Sequence, residues 1–435
     1  MEYLKHSQAK QGPVGAGVRQ IVEEMLDRIR SLGEPAVEEY ARNLDDWHES
    51  FVLTEDKKAS LIAQVSDQEK EDIRFSHSQV ERFARAQKAS LQEFEIETEP
   101  GVRLGQRIVP VDCAGCYVPG GRYAHVASAI MSITTARVAG VPFVVAASPP
   151  RSGSISPQVA YAMDLAGADI ILEMGGVQAI ASMAFGLFGI PSADILVGPG
   201  NSYVAEAKRL LFGEAGIDVF AGPTESAIIA DDTADAMTVA IDLASQAEHG
   251  PDSPVWLFTT SAQLAESVAR IMPKIAADMP SGDVVMAAWR QHGEIILCKD
   301  REEVCKVSDR YASEHLQVVA EDLQWWKQRL KNYGSLFLGE GATVTHGDKC
   351  SGTNHILPTK KAARYTGGLN VMKFLKILTW QEISEEANLK FSAAASRISR
   401  LEGMDGHARA CDWRLKKYFP GTEWPFEVSD QQRYE

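Results

Sequence analysis

The sequence predicts an α/β protein: two successive Rossmann-like parallel-sheet units, preceded by a helical N-terminal region and followed by a helical tail. Two observations carry this. Short β-branched runs alternate with small-residue helices through the middle of the chain. The same rhythm then restarts after Ala221-Gly222-Pro223-Thr224. The length agrees, since 435 residues hold several domains of roughly 100–200 residues with ample core.

Residues 1–101 read as helical. Val18, Ile21, Val22, Met25, Leu26 and Ile29 recur at helical spacing and stop near Gly33. Residues 57–95 continue in helical style and offer no chemistry, so a packing layer is expected. Residues 102–222 form the first α/β unit. Its predicted strands are 107–111, 143–147, 170–172 and 194–197, with small-residue helices between them. Residues 223–361 repeat the pattern, with strands at 227–230, 255–259, 294–298, 316–320 and 335–338. The likeness of the halves is compatible with an old duplication, although no residue-level repeat proves one. Residues 362–435 read as a helical tail, strongly amphipathic from Trp380 to Leu415. A ligand is expected between the two α/β units, at the carboxyl ends of strands.

Composition narrows the function classes. Lys and Arg number 44 against 59 Asp and Glu, a formal charge of −15. That balance argues against a general nucleic-acid binder, which needs a basic face. It does not exclude a small anionic substrate held by a few local cations. The start of the chain has no apolar stretch behind a basic region, and no apolar run is long enough to span a bilayer, so a cytoplasmic protein is expected. Six cysteines in this length form no disulfide framework. Cys113-Ala114-Gly115-Cys116 spells CxxC without a second such pair, and reads as small residues on a buried strand.

Five clusters carry possible chemistry. Gln246 and His249 are three apart at a helix end and share a face, which suits two ligands of one metal. The segment from His346 to His355, with Asp348, Lys349 and Asn354, is a loop dense in metal-capable groups. Glu402 and His407 lie in the helical tail. Gln246, His249, Asp348 and His407 together make a mixed N/O shell of the kind zinc uses when positions stay open for substrate. Glu314-His315 leads into a strand and offers a base near neutral pH beside a group that polarises water. Glycine turns at 117–122, 175–178 and 198–201 sit at strand ends, where two of them open helices able to face a pyrophosphate. Taken singly, each cluster is also compatible with an ordinary surface loop, helix end or βα turn.

In order along the chain, these pieces resemble the histidinol dehydrogenase family. The matching stretches are YVPGGR (117–122), ARVAGV (136–141), GGVQAIA (175–181), GPGNSYVAEAKR (198–209) and IDVFAGPTE (217–225). They continue with DLASQAEHGPD (242–252), SEHLQV (313–318), GTNHILPT (352–359) and LEGMDGHA (401–408). The resemblance implies zinc-dependent, NAD-linked oxidation of a primary alcohol to a carboxylate in two hydride transfers. It implies Gln246, His249, Asp348 and His407 as zinc ligands, His315 as general base and Glu314 as the residue that activates water. It matches Tyr117, Gln178 and Asn201 to NAD contacts. It also implies a homodimer in which the tail completes the neighbour's site, so that Glu402 and His407 act across the interface.

The substrate region departs from enzymes that oxidise histidinol. Gly347-Asp348-Lys349 stands where the usual pattern has GDY, and Gly352-Thr353-Asn354-His355 where it has GPNH. His125-Val126-Ala127-Ser128 replaces an aromatic and Pro-Ser, and Thr224 replaces Ser. Lys349 and His125, with Arg122 near, favour an anionic group over imidazole and amine. The pattern resembles the branch oxidising (R)-2,3-dihydroxypropane-1-sulfonate to (R)-3-sulfolactate. Asn354 and His355 are then expected to donate to sulfonate oxygens, and Glu402 to bond the 2-hydroxyl. The competing expectations are L-histidinol oxidation by a diverged pocket and, from another class, a non-redox zinc protein on the same scaffold.

Overall fold

Runs of Val, Ile, Leu and Ala bounded by Gly, Pro and Asp form the strands of this chain, and the intervening Ala-rich runs form its helices. The computed structural model describes residues 1–8, 16–120, 124–151, 153–219, 222–426 and 428. Its strands in chain order are β1 (Glu2–Lys5), β2 (Phe94–Glu99), β3 (Val102–Pro110), β4 (Cys113–Tyr117) and β5 (Phe143–Ser148). Then come β6 (Ile170–Glu173), β7 (Ile195–Val197), β8 (Gly216–Ile217), β9 (Ser226–Ala230) and β10 (Val255–Thr259). The last four are β11 (Glu294–Leu297), β12 (His315–Val319), β13 (Ser335–Leu338) and β14 (Leu375–Ile383).

The chain divides into two units, residues 1–90 with 110–374 and residues 91–109 with 375–435. The larger unit holds both predicted parallel sheets. The first runs β6-β5-β4-β7-β8, with every pairing parallel. The second runs β1-β11-β10-β9-β12-β13 and is parallel except for β1, which pairs antiparallel on the β11 edge. Numbered from its own first parallel strand, each sheet has the order 3-2-1-4-5. The shared order is the topological form of the two similar halves expected from sequence. It places a switch point between β4 and β7, and another between β9 and β12.

Burial follows from strands covered on both faces. Val145, Leu172, Leu196, Ile180 and Met183 fill the first core, and Val22, Leu26, Ile29 and Val37 of the N-terminal helices close it. Ile228, Leu257, Leu243, Val268 and Met272 fill one face of the second sheet. The helix Val126–Ala139 is buried on nearly every side, which suits its small-residue composition. The helix Asp67–Ala89 packs against it. Its Ser66 capping box explains its sharp start. No helix among the described residues is long and apolar enough to cross a membrane.

Three expected boundaries are corrected. Residues 1–101 are not a separate helical layer, because β1 completes the second sheet and the helices of 16–45 close the first core. Residues 102–110 are not the opening of the first α/β unit. Residues 102–106 pair antiparallel with β2, and β3 lies between β2 and β14 in a three-stranded sheet, its residues 102–109 in the smaller unit. Residues 362–435 are not uniformly helical. Residues 362–374 belong to the larger unit, and β14 precedes the helices Glu385–Leu401 and Asp405–Tyr418. Gly105 shows what favours the strand: a Cβ there would lie 2.4 Å from the Trp380 ring, so the indole lies against a bare backbone. The two tail helices are joined by Arg400 Nη2 and the buried Asp412 Oδ2 at 2.6 Å.

Candidate active site

Two groups of predicted residues gather in the larger unit, at different ends of strands. The first lies at the carboxyl ends of β4, β6 and β7, beside the first switch point. Tyr117 ends β4, and its phenolic oxygen accepts from Gly176 N at 3.2 Å. Gln178 lies two residues on, in the helix Gly176–Phe185, and donates to Asp45 Oδ2 at 2.8 Å. Asn201 caps the helix Ser202–Leu211, its side-chain oxygen accepting from Tyr203 N and Val204 N. Gly198 opens that turn at φ +120, and a Cβ there would lie 1.9 Å from Tyr117 O. The turns after β4 and β7 therefore touch backbone to backbone. Burial raises the Tyr117 pKa, with the Asp45 charge adding to it.

The second group lies at the amino ends of β9 and β12, whereas the carboxyl ends were expected. Glu314 and His315 open β12, and Thr224 and Glu225 precede β9. Glu225 N donates to Glu314 Oε2 at 3.0 Å, and His315 N donates to Glu225 O at 3.1 Å. His315 Nε2 stands 3.2 Å from Asp348 Oδ1, and Nδ1 stands 3.7 Å from Glu314 Oε2. These are ion-pair approaches, since neither ring nitrogen makes an aligned hydrogen bond. Burial opposes the charged ring, but Glu314 and Asp348 outweigh it and raise the His315 pKa to about 9. Burial pushes the Glu314 carboxyl up to about 8, against the pull of His315. Asp348 is buried too, yet His315 and the other nearby histidines hold its carboxyl well below the usual range.

Gln246 is in the last turn of the helix Ala236–Ala247, and its Oε1 is buried without a partner. His249 follows two residues after the helix. It is open to solvent by surface area, but crowding lowers its pKa first, and His315 and Lys349 lower it further. Asp348 lies close enough to His249 for each charge to act on the other. An orphaned amide oxygen, an ionised buried carboxylate and an imidazole held neutral are the donor set a borderline cation such as zinc takes. Gln246, His249 and Asp348 therefore fit a metal. His407 and Glu402 lie in the smaller unit, where both are exposed. Among the described residues no three His, Cys, Asp or Glu side chains converge to hold a metal by themselves.

The expected substrate residues separate. His125 precedes the helix Val126–Ala139, and its pKa is lowered by burial and then by Lys349 and His249. Lys349 is exposed, and its carbonyl accepts from Ser76 Oγ at 2.6 Å, so the N-terminal helix supports the loop. Asn354 and His355 are not placed as free donors. Asn354 donates to Met131 O at 3.1 Å and accepts from Ile356 N at 3.0 Å. His355 Nδ1 lies 2.9 Å from Asp348 O, so it carries the proton, and Nε2 accepts from Ser128 Oγ at 2.8 Å. Burial lowers the His355 pKa to about 4, which keeps the ring neutral. Both residues tie the Asp348 loop to the helix Val126–Ala139. Arg122 lies outside the described residues.

Two functional positions escaped the sequence reading. Glu225 is buried, accepts from Lys360 N at 2.9 Å through Oε1, and leaves Oε2 unpartnered. Burial raises its pKa to about 7. Asp242 accepts from Gln317 and Thr343 inside the protein. Their signal in the sequence was only that Glu225 ends the stretch 217–225 and Asp242 opens the stretch 242–252.

Comparison with known proteins agrees with the fold. The histidinol dehydrogenase family model matches residues 9–415. The sulfopropanediol 3-dehydrogenase of Ruegeria pomeroyi is 54% identical over 97% of this chain and 97% of its own length. A histidinol dehydrogenase homolog of the same organism is 56% identical over 92% of this chain and 93% of its own. The crystal structure of histidinol dehydrogenase from Elizabethkingia anophelis superposes with a TM-score of 0.88 at 31% identity, covering 94% of each chain.

Proposed function

This chain belongs to the histidinol dehydrogenase family, and from that premise we propose that it is a zinc- and NAD-dependent dehydrogenase acting on a small anionic diol. The reading names (R)-2,3-dihydroxypropane-1-sulfonate, oxidised to (R)-3-sulfolactate with two NAD per substrate. One observation carries it. Lys349, beside Asp348, is near enough to His125 and His249 to shift the titration of both. Lys349 is a cation in an otherwise acidic chain, flanked by two imidazoles that can donate hydrogen bonds, which suits a fixed negative charge and opposes a substrate carrying an amine. The 54% identity to a sulfopropanediol 3-dehydrogenase supports the same choice.

The residues divide the work. Gln246, His249 and Asp348 hold the metal, with His407 of a second copy as fourth ligand. When bound, zinc supplies a Lewis acid that weakens the hold of the substrate alcohol on its proton. His315 accepts that proton. Its ion pair with Asp348 favours the charged ring and so stabilises it once the proton has been taken. Glu314 sits behind His315, with a carboxyl pKa raised by burial into the range useful for moving a proton to and from water. It takes the proton from water that adds to the aldehyde, and the hydrate gives the second hydride. Tyr117, Gln178 and Asn201 hold NAD at the first switch point, with the helix N-termini turned to its phosphates. Thr224 and Lys349 contact the substrate, and Glu402 bonds its 2-hydroxyl.

Retention of Glu402 also favours a second reading, L-histidinol oxidation, in which that carboxylate holds the substrate amine. A spectrophotometric NADH assay on the zinc-loaded protein separates them. The panel is the sulfonate diol, L-histidinol and short uncharged polyols. The expected result is two NADH per sulfonate diol and no turnover of histidinol. Turnover of histidinol without turnover of the sulfonate would reject the anionic-substrate reading.

A further inference from the structure

We propose that Asp242 is the positioning residue of this site: it fixes the helix, strand and loop that carry Gln246, His315 and Asp348 at one spacing, and thereby sets metal affinity. The inference rests on the metal reading above and concerns residues outside its ligand set. Asp242 lies in the helix Ala236–Ala247 and is 9% exposed. Its Oδ2 accepts from Gln317 Nε2 at 2.8 Å, and its Oδ1 accepts from Thr343 Oγ1 at 2.9 Å. Gln317 belongs to β12, and Thr343 is the residue before the helix Val344–Lys349. One carboxylate therefore joins all three elements that carry the site.

Periodicity converts those bonds into a register. Asp242 and Gln246 are four apart on one helix face, while Gln317 and His315 are two apart on one face of β12. Four helical residues advance about 6 Å and two strand residues about 6.6 Å, so the two steps nearly match. The helix links the parallel strands β9 and β10, so it runs back against them. Moving from Asp242 to Gln246 thus parallels moving from Gln317 to His315. The Asp242–Gln317 bond fixes the level at which Gln246 meets the amino end of β12, where its Oε1 has no partner.

Thr343 supplies a second, independent observation. It occupies the cap position of the helix Val344–Lys349 but makes no side-chain cap bond. A capping hydroxyl stabilises a helix by about 1 kcal/mol. Here the hydroxyl is turned to Asp242 instead, and the helix so anchored carries Asp348 five residues later. An ionised carboxylate only accepts, so it dictates the direction of both donors. Gln317 correspondingly leaves its own Oε1 buried and unpartnered.

The test is competition of the full-length protein with a chromogenic zinc chelator, using zinc alone as probe, alongside thermal unfolding of the metal-free protein. Thr343→Val removes the hydroxyl, and Thr343→Ser restores it. Asp242→Asn keeps shape but surrenders one acceptor site, and serves where Thr343→Val does not fold. Loss of an outer-sphere partner weakens metal binding by about 10–100-fold. That loss is expected for Thr343→Val and Asp242→Asn, with Thr343→Ser near wild type. Wild-type zinc affinity in both Thr343→Val and Asp242→Asn would overturn the inference, as would an equal loss in Thr343→Ser. Wild-type protein that binds no zinc would overturn the metal reading, and the inference with it.

Discussion

At the residue scale, the carboxyl groups behind His315 differ from ordinary surface acids in one respect: they have lost water without gaining full compensation. Glu225 is 8% exposed and uses one oxygen on Lys360 N, while the other has no partner. Desolvation raises its pKa from 4.5 to about 7. The folded state therefore holds this proton more tightly than the unfolded state does. The stability it confers is fully present below pH about 4.5 and is lost as pH rises through about 7. Glu225→Gln, an uncharged isostere that keeps the Lys360 acceptor, avoids the loss. At pH 8 the substitution is expected to stabilise the metal-free protein by up to about 3 kcal/mol, shrinking towards zero near pH 4. Urea unfolding at the two pH values measures the gap. A gap of equal size at both would show that Glu225 carries no buried charge.

At the element scale, the turn after β7 depends on a buried ion pair. Lys208 Nζ lies 2.5 Å from Asp218 Oδ1 and 2.7 Å from Gly198 O, and Asp218 Oδ2 accepts from Gly198 N at 2.7 Å. Both side chains are almost completely buried. Removing one member of such a pair leaves the other charged and unpaired. Lys208→Met is expected to cost about 3–5 kcal/mol and to raise KM for NAD more than it lowers kcat. Asp218→Asn added to Lys208→Met removes the stranded charge and is expected to recover part of the stability. No recovery in the double variant would argue against an electrostatic origin. Elements also show where sequence reading ends. Most strands of both parallel sheets were legible because each is a short apolar run bounded by Gly, Pro or Asp; β4 was not among them, the first strand being expected at 107–111, nor was the two-residue β8. The strands β1 and β14 were not, because each is defined by a partner far away in the chain: β1 by β11, and β14 by β3. The mixed pattern of Leu375–Ile383 reads equally well as one face of a helix. Among site residues, Glu314, His315 and Asp348 are brought together as expected. Glu225 and Asp242 escaped because a buried acid declares itself only when its partners are known. Asn354 and His355 use polar atoms on neighbours within the fold, which a sequence does not display.

At the scale of the whole molecule, charge and exposure divide unequally. The chain carries −15 overall, yet Lys349 places a cation near His125 and His249. The smaller unit exposes Leu401 at 87%, with Ile398, Met404 and Trp413 around Glu402 and His407. Apolar side chains grouped beside polar residues of assigned function suit a surface that a second copy covers. The proposed sharing of the site gives this a strict test. Asp348→Ala and His407→Ala each remove one ligand, so each homodimer is expected to be inactive. In a mixed dimer, the chain that keeps Asp348 receives His407 from the chain that lacks Asp348. One of its two sites is then complete, and random re-pairing of equal amounts restores about a quarter of wild-type activity. A ligand acting within its own chain leaves every site of the mixture incomplete. Mixing the two variants under conditions that exchange chains, and measuring NADH formation, distinguishes the cases. A mixture as inactive as its components, with chain exchange confirmed by a tag on one variant, would place His407 in the site of its own chain.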